Sequence, residues 1–462
     1  MTEIGTVQAR ETDAADSRSS VAGLARSGVI AGVIKLASAG LSFAMFVVVA
    51  LVTDERQFGL FSAAYAGASL VSFFATIGQQ STVLRFWPQY ASSGQIGIAN
   101  GLMARALVII VGSLVVSSAA IVLIGFIPGF SERTPEWLPL CAATALLSMA
   151  LGWSEFASGA FRAKSALISA LLPRDVLWRA AVIAVVGVMY LTHIETDAVT
   201  ATFITAGLLL LATLPQAVAL ARDTMRLERA PLSTEQKLEF TQVTLGLWGA
   251  TSIPPALAQV STLLVASILG PEAAGAVFVA DRTTRLVLLA LTGINQALAP
   301  EISSAFYSGD RRHVQRITSL TALGASAVAL TTLVGFLFFG PFILSIFDPA
   351  YATPQTHTIL MIFAIGASFA SACGPIELLL QLTGLQNQLM KILLIFNAIG
   401  LVITAIATYL FGPIGSAASI AGTWIAWNII AVMIAKRRIG VDPSLLGLIG
   451  QPSYDRAQTP AQ

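Results

Sequence analysis

Three charged residues, Asp281, Arg282 and Arg285, stand within five positions of one another in the run from Gly270 to Arg312, which is otherwise apolar enough to cross a bilayer. An ionised side chain in such a crossing costs about 2.5 to 3.5 kcal/mol even on the mildest insertion scales. Charges kept at that cost face a bundle interior or a wet cavity and mark the path of whatever is carried. Asp281 and Arg285 are four apart and share a helical face, so they can pair. Arg282 is turned about 100° from Asp281 and is less readily neutralised by it. Lys35 lies in a first apolar run rich in small residues, Gly28, Gly32, Ala37, Ala39 and Gly40, which permit close helix approach. Glu377 follows Gly374-Pro375 in a segment of backbone breakers that needs protein or water around it.

The elements that position these residues follow from composition. With 56% hydrophobic and 11% charged residues and a mean hydropathy of +0.79, the chain is a polytopic membrane protein, since a soluble domain carries about 25% charge. Its net charge of +2 gives no reason to expect nucleic acid. Cys141 and Cys373 lie in apolar stretches and read as core residues, and no metal-ligand spacing occurs. Residues 1–27 are polar, mixed in sign and without the apolar core of a cleavable signal.

Twelve apolar spans can be drawn, at about 28–52, 58–78, 101–126, 137–158, 174–192, 198–221, 243–268, 275–299, 317–341, 356–383, 390–411 and 415–435. The fifth begins at Pro173-Arg174-Asp175 and carries Arg179. Nineteen of the 26 lysines and arginines fall in the termini and even-numbered loops, against Arg56 and Arg133 in the odd ones. Positive residues collect in the cytoplasm, so both termini are expected there. The far loops are short, the longest near Ile343 to His357, which leaves no external domain for a catalytic site and argues against an enzyme such as a polytopic glycosyltransferase. Trp137, Trp153, Trp178 and Tyr190 near span edges read as interface anchors, as do Glu155, Arg162 and Arg179.

The chain also repeats itself weakly. A register that sets Gly59 on Gly275 and Arg85 on Glu301 lays helices one and two over helices seven and eight, each pair joined by an acidic turn and a glycine. Six helices per copy relate the copies by an axis along the membrane normal. The expected architecture is all-α, with twelve transmembrane helices in two parallel six-helix lobes around a central cavity. Its parts are a cytoplasmic tail (1–27), an N-terminal lobe (28–221), a charged linker (222–242), a C-terminal lobe (243–435) and a cytoplasmic tail (436–462), loose beyond a short amphipathic stretch.

Several short stretches carry a family likeness: Gln57-Phe58-Gly59-Leu60-Phe61, Ile77-Gly78, Val83-Leu84-Arg85-Phe86, Ile268-Leu269-Gly270-Pro271-Glu272-Ala273-Ala274-Gly275, Leu298-Ala299-Pro300-Glu301-Ile302, Gly309-Asp310, Gly374-Pro375 and Thr383-Gly384-Leu385-Gln386. With them the chain resembles the polysaccharide-lipid flippases of the multidrug/oligosaccharidyl-lipid/polysaccharide exporter superfamily over about residues 25–435. That resemblance implies a bacterial inner-membrane flippase that moves an undecaprenyl-diphosphate-linked oligosaccharide outward for O-antigen, exopolysaccharide or capsule synthesis. Its partners would be that lipid-linked oligosaccharide, membrane lipids, and a polymerase and export machinery. In similar flippases, basic residues on helices one and eight hold the diphosphate. Lys35, Arg282 and Arg285 occupy comparable places, with Asp281 as counter-charge.

Each of these residues also has a plainer reading. Asp281 and Arg285 can be a structural ion pair, and Lys35, close to the interface, can snorkel. Glu377 and Asp281 are candidate proton or sodium sites, with no organic cofactor or metal expected. Arg85 and Arg105 are either topology anchors or guides for the diphosphate at the cavity mouth. Pro254-Pro255 should bend helix seven and are a candidate gate or hinge. Two alternatives stay open: an ion-coupled multidrug exporter of the same superfamily, for which Asp281 and Glu377 speak, and another polytopic sugar transporter, which lacks its basic motif between Gln79 and Asn100.

Overall fold

A computed structural model describes residues 32–127 and 136–449 of the chain. The residues expected to form the N-terminal tail lie outside it. The N-terminal lobe begins with α1 (Gly32–Val52) and α2 (Glu55–Ala75), which α3 (Gln79–Ser92) continues. It goes on through α4 (Ile96–Ile124), α5 (Trp137–Ala163), α6 (Leu167–Leu172), a π-helical turn (Pro173–Leu177), α7 (Trp178–Leu191) and α8 (Ala198–Arg226). The C-terminal lobe holds α9 (Thr234–Leu269), α10 (Pro271–Tyr307), α11 (Arg311–Ser345), α12 (Pro354–Ala372), α13 (Ile376–Leu382) and α14 (Gln386–Arg438). The described residues contain no strand.

These elements make twelve crossings. α2 with α3 form the second, α6, the π turn and α7 the fifth, and α12 with α13 the tenth. α14 supplies two, because its backbone leaves helical angles at Gly412, before Pro413. α9 bends by 51° between its pieces Thr234–Ile253 and Ala258–Leu269, across Pro254-Pro255. The bend follows from the two missing amide hydrogens and the ring clashes of a proline pair.

The α2–α3 break has a tertiary cause. Ile77 and Gly78 both take positive φ, 44° and 64°, and a Cβ on Gly78 would lie 2.9 Å from the Trp248 nitrogen of α9. The turn lets α9 pack against bare backbone. Trp248 donates its indole N–H to the Phe74 carbonyl (3.0 Å), Ser252 donates to that of Phe73 (2.7 Å), and the hydroxyls of Thr82 and Thr244 lie 2.7 Å apart.

The fifth crossing corrects the sequence reading. It starts at Leu167, not at Pro173, so Arg174, Asp175 and Arg179 are inside it. Trp178 is 1% exposed and its indole donates to the Thr205 carbonyl (3.0 Å), so it is a core residue and not an interface anchor. Beyond Arg438, residues 439–449 dock on α11, and the rest of the expected tail lies outside the described residues. Gln315 of α11 accepts from the Asp442 amide (2.6 Å) and donates to the Gly447 carbonyl (2.9 Å), while Ser319 donates to the Asp442 carbonyl (3.1 Å).

The lobes differ in how they meet at the two membrane faces. Call the face with Arg162, Arg226 and Lys436-Arg437-Arg438 the basic face. Toward the opposite, far face, one apolar core runs through both lobes. Phe46 of α1 meets Phe278 of α10 edge-on (5.0 Å between centroids), Phe43 meets Phe347 (5.1 Å), and Phe58 of α2 meets Tyr351 (5.9 Å). The Tyr351 hydroxyl donates to the Glu55 carbonyl (3.4 Å). Burial, then Glu55, Asp348, Asp54 and Glu272, push its phenol well above the ordinary tyrosine range, so it stays a donor. Toward the basic face each lobe has a core of its own, around Phe156 in one and around Leu379 in the other, and the lobes also meet there through α9, whose Phe240 packs on Phe86 of α3 and Leu102 of α4. The inner half of α1 is loosely packed: Val33 and Leu36 are exposed, and Gly32 and Gly40 have open space around them. The lobes are therefore clasped at the far face and, at the basic face, joined along α9 and open along α1.

The clasp turns on Gly59 and Gly275, where α2 crosses α10. A Cβ on Gly275 would stand 3.3 Å from the Gly59 Cα, and one on Gly59 would overlap the Pro271 carbonyl. Gly59→Ala should therefore hold the far face apart. Spin labels at Asp54 and Glu272 should then lose their short-distance population in pulsed dipolar measurements; an unchanged distribution would show that the crossing tolerates a side chain.

Candidate functional site

α10 begins cleanly, with Gly270 turning the chain at φ 95° and Pro271 in the first helical turn. It carries Asp281, Arg282 and Arg285 about ten to fifteen residues in, roughly 15 to 21 Å along the axis, which is mid-membrane. The two arginines part company there. Arg285 Nε donates to Asp281 Oδ2 (2.8 Å) and its Nη2 reaches Oδ1 (3.4 Å). The pair faces a small recess of about 70 Å³ within the C-terminal lobe, whose walls include Gln259, Asn397, Thr404, Thr423 and Trp424. That volume holds a handful of waters.

Arg282 also lines this recess, and its guanidinium lies at the seam. Its guanidinium carbon lies 4.5 Å from the Phe278 ring centre, 5.2 Å from that of Phe46 on α1 and 6.0 Å from that of Tyr65 on α2. Its Nε is 3.9 Å from Asp281 Oδ2 and finds no hydrogen-bond partner among the described residues. Three aromatic faces thus hold a cation whose donors are underused. Placing it beside Asp281 without a full ion pair agrees with the 100° offset along the helix.

Lys35 belongs to a second charged cluster, in the N-terminal lobe. Its Nζ sits 2.6 Å from Asp175 Oδ2, and the Asp175 side chain is 3% exposed. Arg179 lies 3.7 Å from the other carboxylate oxygen, donates to Ser42 Oγ (2.9 Å) and to the carbonyls of Arg174 and Asp175, and stacks on Trp178. Arg174 pairs with Glu155 of α5. Arg179 and Glu155 are therefore members of a buried network and not anchors at the interface. The π turn supplies the geometry: its extra residue rotates Asp175 inward, and such turns recur at functional sites. Sequence reading missed Asp175, Glu155, Arg174 and Tyr65. The usable signal was the apolar run Ala166-Leu167-Ile168-Ser169-Ala170-Leu171-Leu172 ahead of Pro173, which lengthens the span and carries the charges inside.

Tyr65 joins the two clusters. It lies within electrostatic reach of Arg174 and Arg179 on one side and of Arg282 and Arg285 on the other. Its hydroxyl makes no hydrogen bond among the described residues. No contact joins Lys35 to either arginine of α10, so the three basic residues do not form a single cradle in this conformation. Glu377 is an exposed carboxylate in the first turn of α13, after the Gly374-Pro375 break, with no ion pair among the described residues. Arg85 is exposed on α3. Arg105 of α4 donates to the Lys237 carbonyl (3.4 Å) and the Thr241 hydroxyl (3.1 Å) of α9, so it ties the lobes together. Cys141 and Cys373 are buried and free, and the described residues hold no cluster fit for a metal.

Comparison with known proteins agrees with this architecture. The family described as "Polysaccharide biosynthesis protein" matches residues 24–306, and the family described as "MatE" matches residues 255–406. No curated protein sequence matches the chain. Among solved structures, a multidrug resistance MATE family transporter of the MOP superfamily in an inward-facing conformation superposes with a TM-score of 0.68 at 13% identity, covering 90% of this chain and 98% of its own. The outward-facing conformation of such a transporter gives 0.58 at 16% identity, covering 90% and 96%. A MOP superfamily transporter from Pyrococcus furiosus, described as having a binding pocket of reverse polarity that suggests a different function, gives 0.59 at 15% identity, covering 90% and 96%. With a family match over more than half its length and this twelve-crossing fold, the chain belongs to the polysaccharide biosynthesis protein family of the multidrug/oligosaccharidyl-lipid/polysaccharide exporter superfamily and is a multi-pass membrane transporter.

Proposed function

We propose that the protein is a flippase that carries a polyprenyl-diphosphate-linked oligosaccharide from the inner to the outer leaflet of a bacterial cytoplasmic membrane, by alternating access of its two lobes. The basic face is then cytoplasmic, with both termini on that side, and the product passes to a polymerase and export machinery outside. One observation carries the reading: Arg282, a part-buried guanidinium at the seam and near mid-membrane, keeps unspent donors and only partial compensation from Asp281. Desolvation strengthens the pull of such a group on a diphosphate. The loosely packed inner half of α1 offers a side opening through which the polyprenyl tail stays in lipid while the head group enters. With about two negative charges, the head group is driven outward by about 2.3 kcal/mol per charge per 100 mV of inside-negative potential.

The roles of the remaining groups follow from their partners. Arg285 serves the C-terminal recess, and Asp281, occupied by Arg285, tunes the pair. Lys35, whose side chain is 46% exposed beside Asp175, meets the head group from that place. Pro254 and Pro255 bend α9 at the seam and act as its hinge. Arg85, exposed near the basic face, draws the diphosphate toward the mouth. Coupling to protons or sodium, where it occurs, falls to Glu377, a carboxylate with no ion pair among the described residues. A second reading, an ion-coupled exporter of organic cations, is favoured by the "MatE" match over residues 255–406 and by the transporters of similar fold. It fits the seam less well, because Arg282 already fills the aromatic cage that a cationic drug would use.

Proteoliposomes test the reading with a fluorescent short-chain polyprenyl-diphosphate sugar. Arg282→Gln should cut its translocation at least tenfold while thermal stability stays near that of the parent; undiminished translocation would remove Arg282 from the path. Asp175→Asn should behave differently, since it strips the buried carboxylate that holds Arg179 and Lys35, and its first effect should be a clear fall in Tm. Glu377→Gln should make translocation independent of an imposed proton or sodium gradient, and retained gradient dependence would place the coupling site elsewhere. Export of a cationic dye, with no movement of the lipid-linked sugar, would establish the second reading instead.

A further inference from the structure

A groove on the outside of the N-terminal lobe is unused by this mechanism. α5 forms its floor and α4 and α8 its walls, with a volume of about 1090 Å³. The lining is almost wholly apolar: Val108, Val111 and Val115 on one wall, Leu214 and Met225 on the other, and Trp153 below. Along α4 it extends from Ala104 to Val115, about 16 Å at 1.5 Å per residue. One leaflet of a bilayer has about 15 Å of hydrocarbon. At the end toward the basic face stand two arginines, Arg105 and Arg229.

Neither arginine has its charge neutralised. Arg105 donates only to a carbonyl and a hydroxyl on α9, both neutral. Arg229 is exposed and has no ion pair among the described residues. The neighbouring carboxylate of Asp223 is taken by Lys164 at 2.5 Å. The groove therefore pairs a leaflet-long apolar channel with uncompensated cations at head-group depth, where basic pockets between helices bind lipid phosphates. None of the residues around Arg282 or Lys35 lines it, so its occupant is off the transport path.

We propose that this groove is a resident site for an anionic phospholipid of the leaflet at the basic face, with the acyl chain between α4 and α8 and the phosphate on Arg105 and Arg229. Because Arg105 also grips α9 across the seam, the bound phosphate braces the α4–α9 contact, and the lipid steadies the conformation described above.

The full-length protein in nanodiscs decides the matter, with phosphatidylcholine alone or with phosphatidylglycerol added. Phosphatidylglycerol should raise Tm by several degrees, as a ligand of the folded state does, and should stay bound in native mass spectrometry after transfer to detergent. Arg229→Gln, which removes a head-group cation, and Val111→Trp, which fills the channel from a lipid-facing position, should each abolish both effects. Equal retention of phosphatidylcholine, or an undiminished phosphatidylglycerol effect in both variants, would reduce the groove to ordinary annular contact. Displacement of phosphatidylglycerol by undecaprenyl diphosphate would overturn the assignment to a phospholipid. None of these outcomes depends on whether the lipid-linked sugar is transported, so they stand apart from the test of Arg282.

Discussion

Two helices that lack side chains at their crossing hold this molecule in one conformation. Gly59 of α2 and Gly275 of α10, which the weak sequence repeat sets on one another, meet at this crossing. Small residues at such points let backbones approach to van der Waals contact, which in a bilayer replaces the hydrophobic drive available in water. The aromatic core around Phe46, Phe58, Phe278 and Tyr351 packs against this crossing. Rocking of the lobes would have to open that core, while the inner half of α1 is already free of it.

The charges obey a second constraint. No water solvates them in the hydrocarbon, so each must find a partner in protein or in a wet recess. Lys35 with Asp175, Arg174 with Glu155 and Arg285 with Asp281 answer it by pairing. Arg282 answers it with ring faces and a distant carboxylate, the weaker arrangement. A transporter's binding group needs that property, since a cation already fully neutralised has little to offer a passing anion. Tyr65, between the two networks, is placed to sense both.

The π turn at Pro173–Leu177 shows how local irregularity serves this scheme. A regular helix there would have kept Asp175 in another register, and Lys35 would have lost its partner across the lobe. The α2–α3 break at Ile77-Gly78 serves packing in the same way, because it opens room for α9 to lay Trp248 and Ser252 on bare carbonyls. Both irregularities lie where one element approaches another closely.

The membrane class, the twelve crossings, the bend at Pro254-Pro255 and the place of Asp281, Arg282 and Arg285 inside one span were legible in the residues alone. Each follows from local composition and from the fixed rise and period of a helix, which need no knowledge of neighbours. The offset of Arg282 from Asp281 was legible for the same reason. Only the tertiary structure decided which charges meet. Asp175 lies 140 residues from Lys35, and its inward turn depends on a π turn with no compositional mark. That Arg282 reaches the rings of α1 and α2 while Arg285 is held by Asp281 is likewise fixed by which helices flank α10. Helical periodicity sets the angle between two side chains, but the packing of the lobes sets what each of them sees.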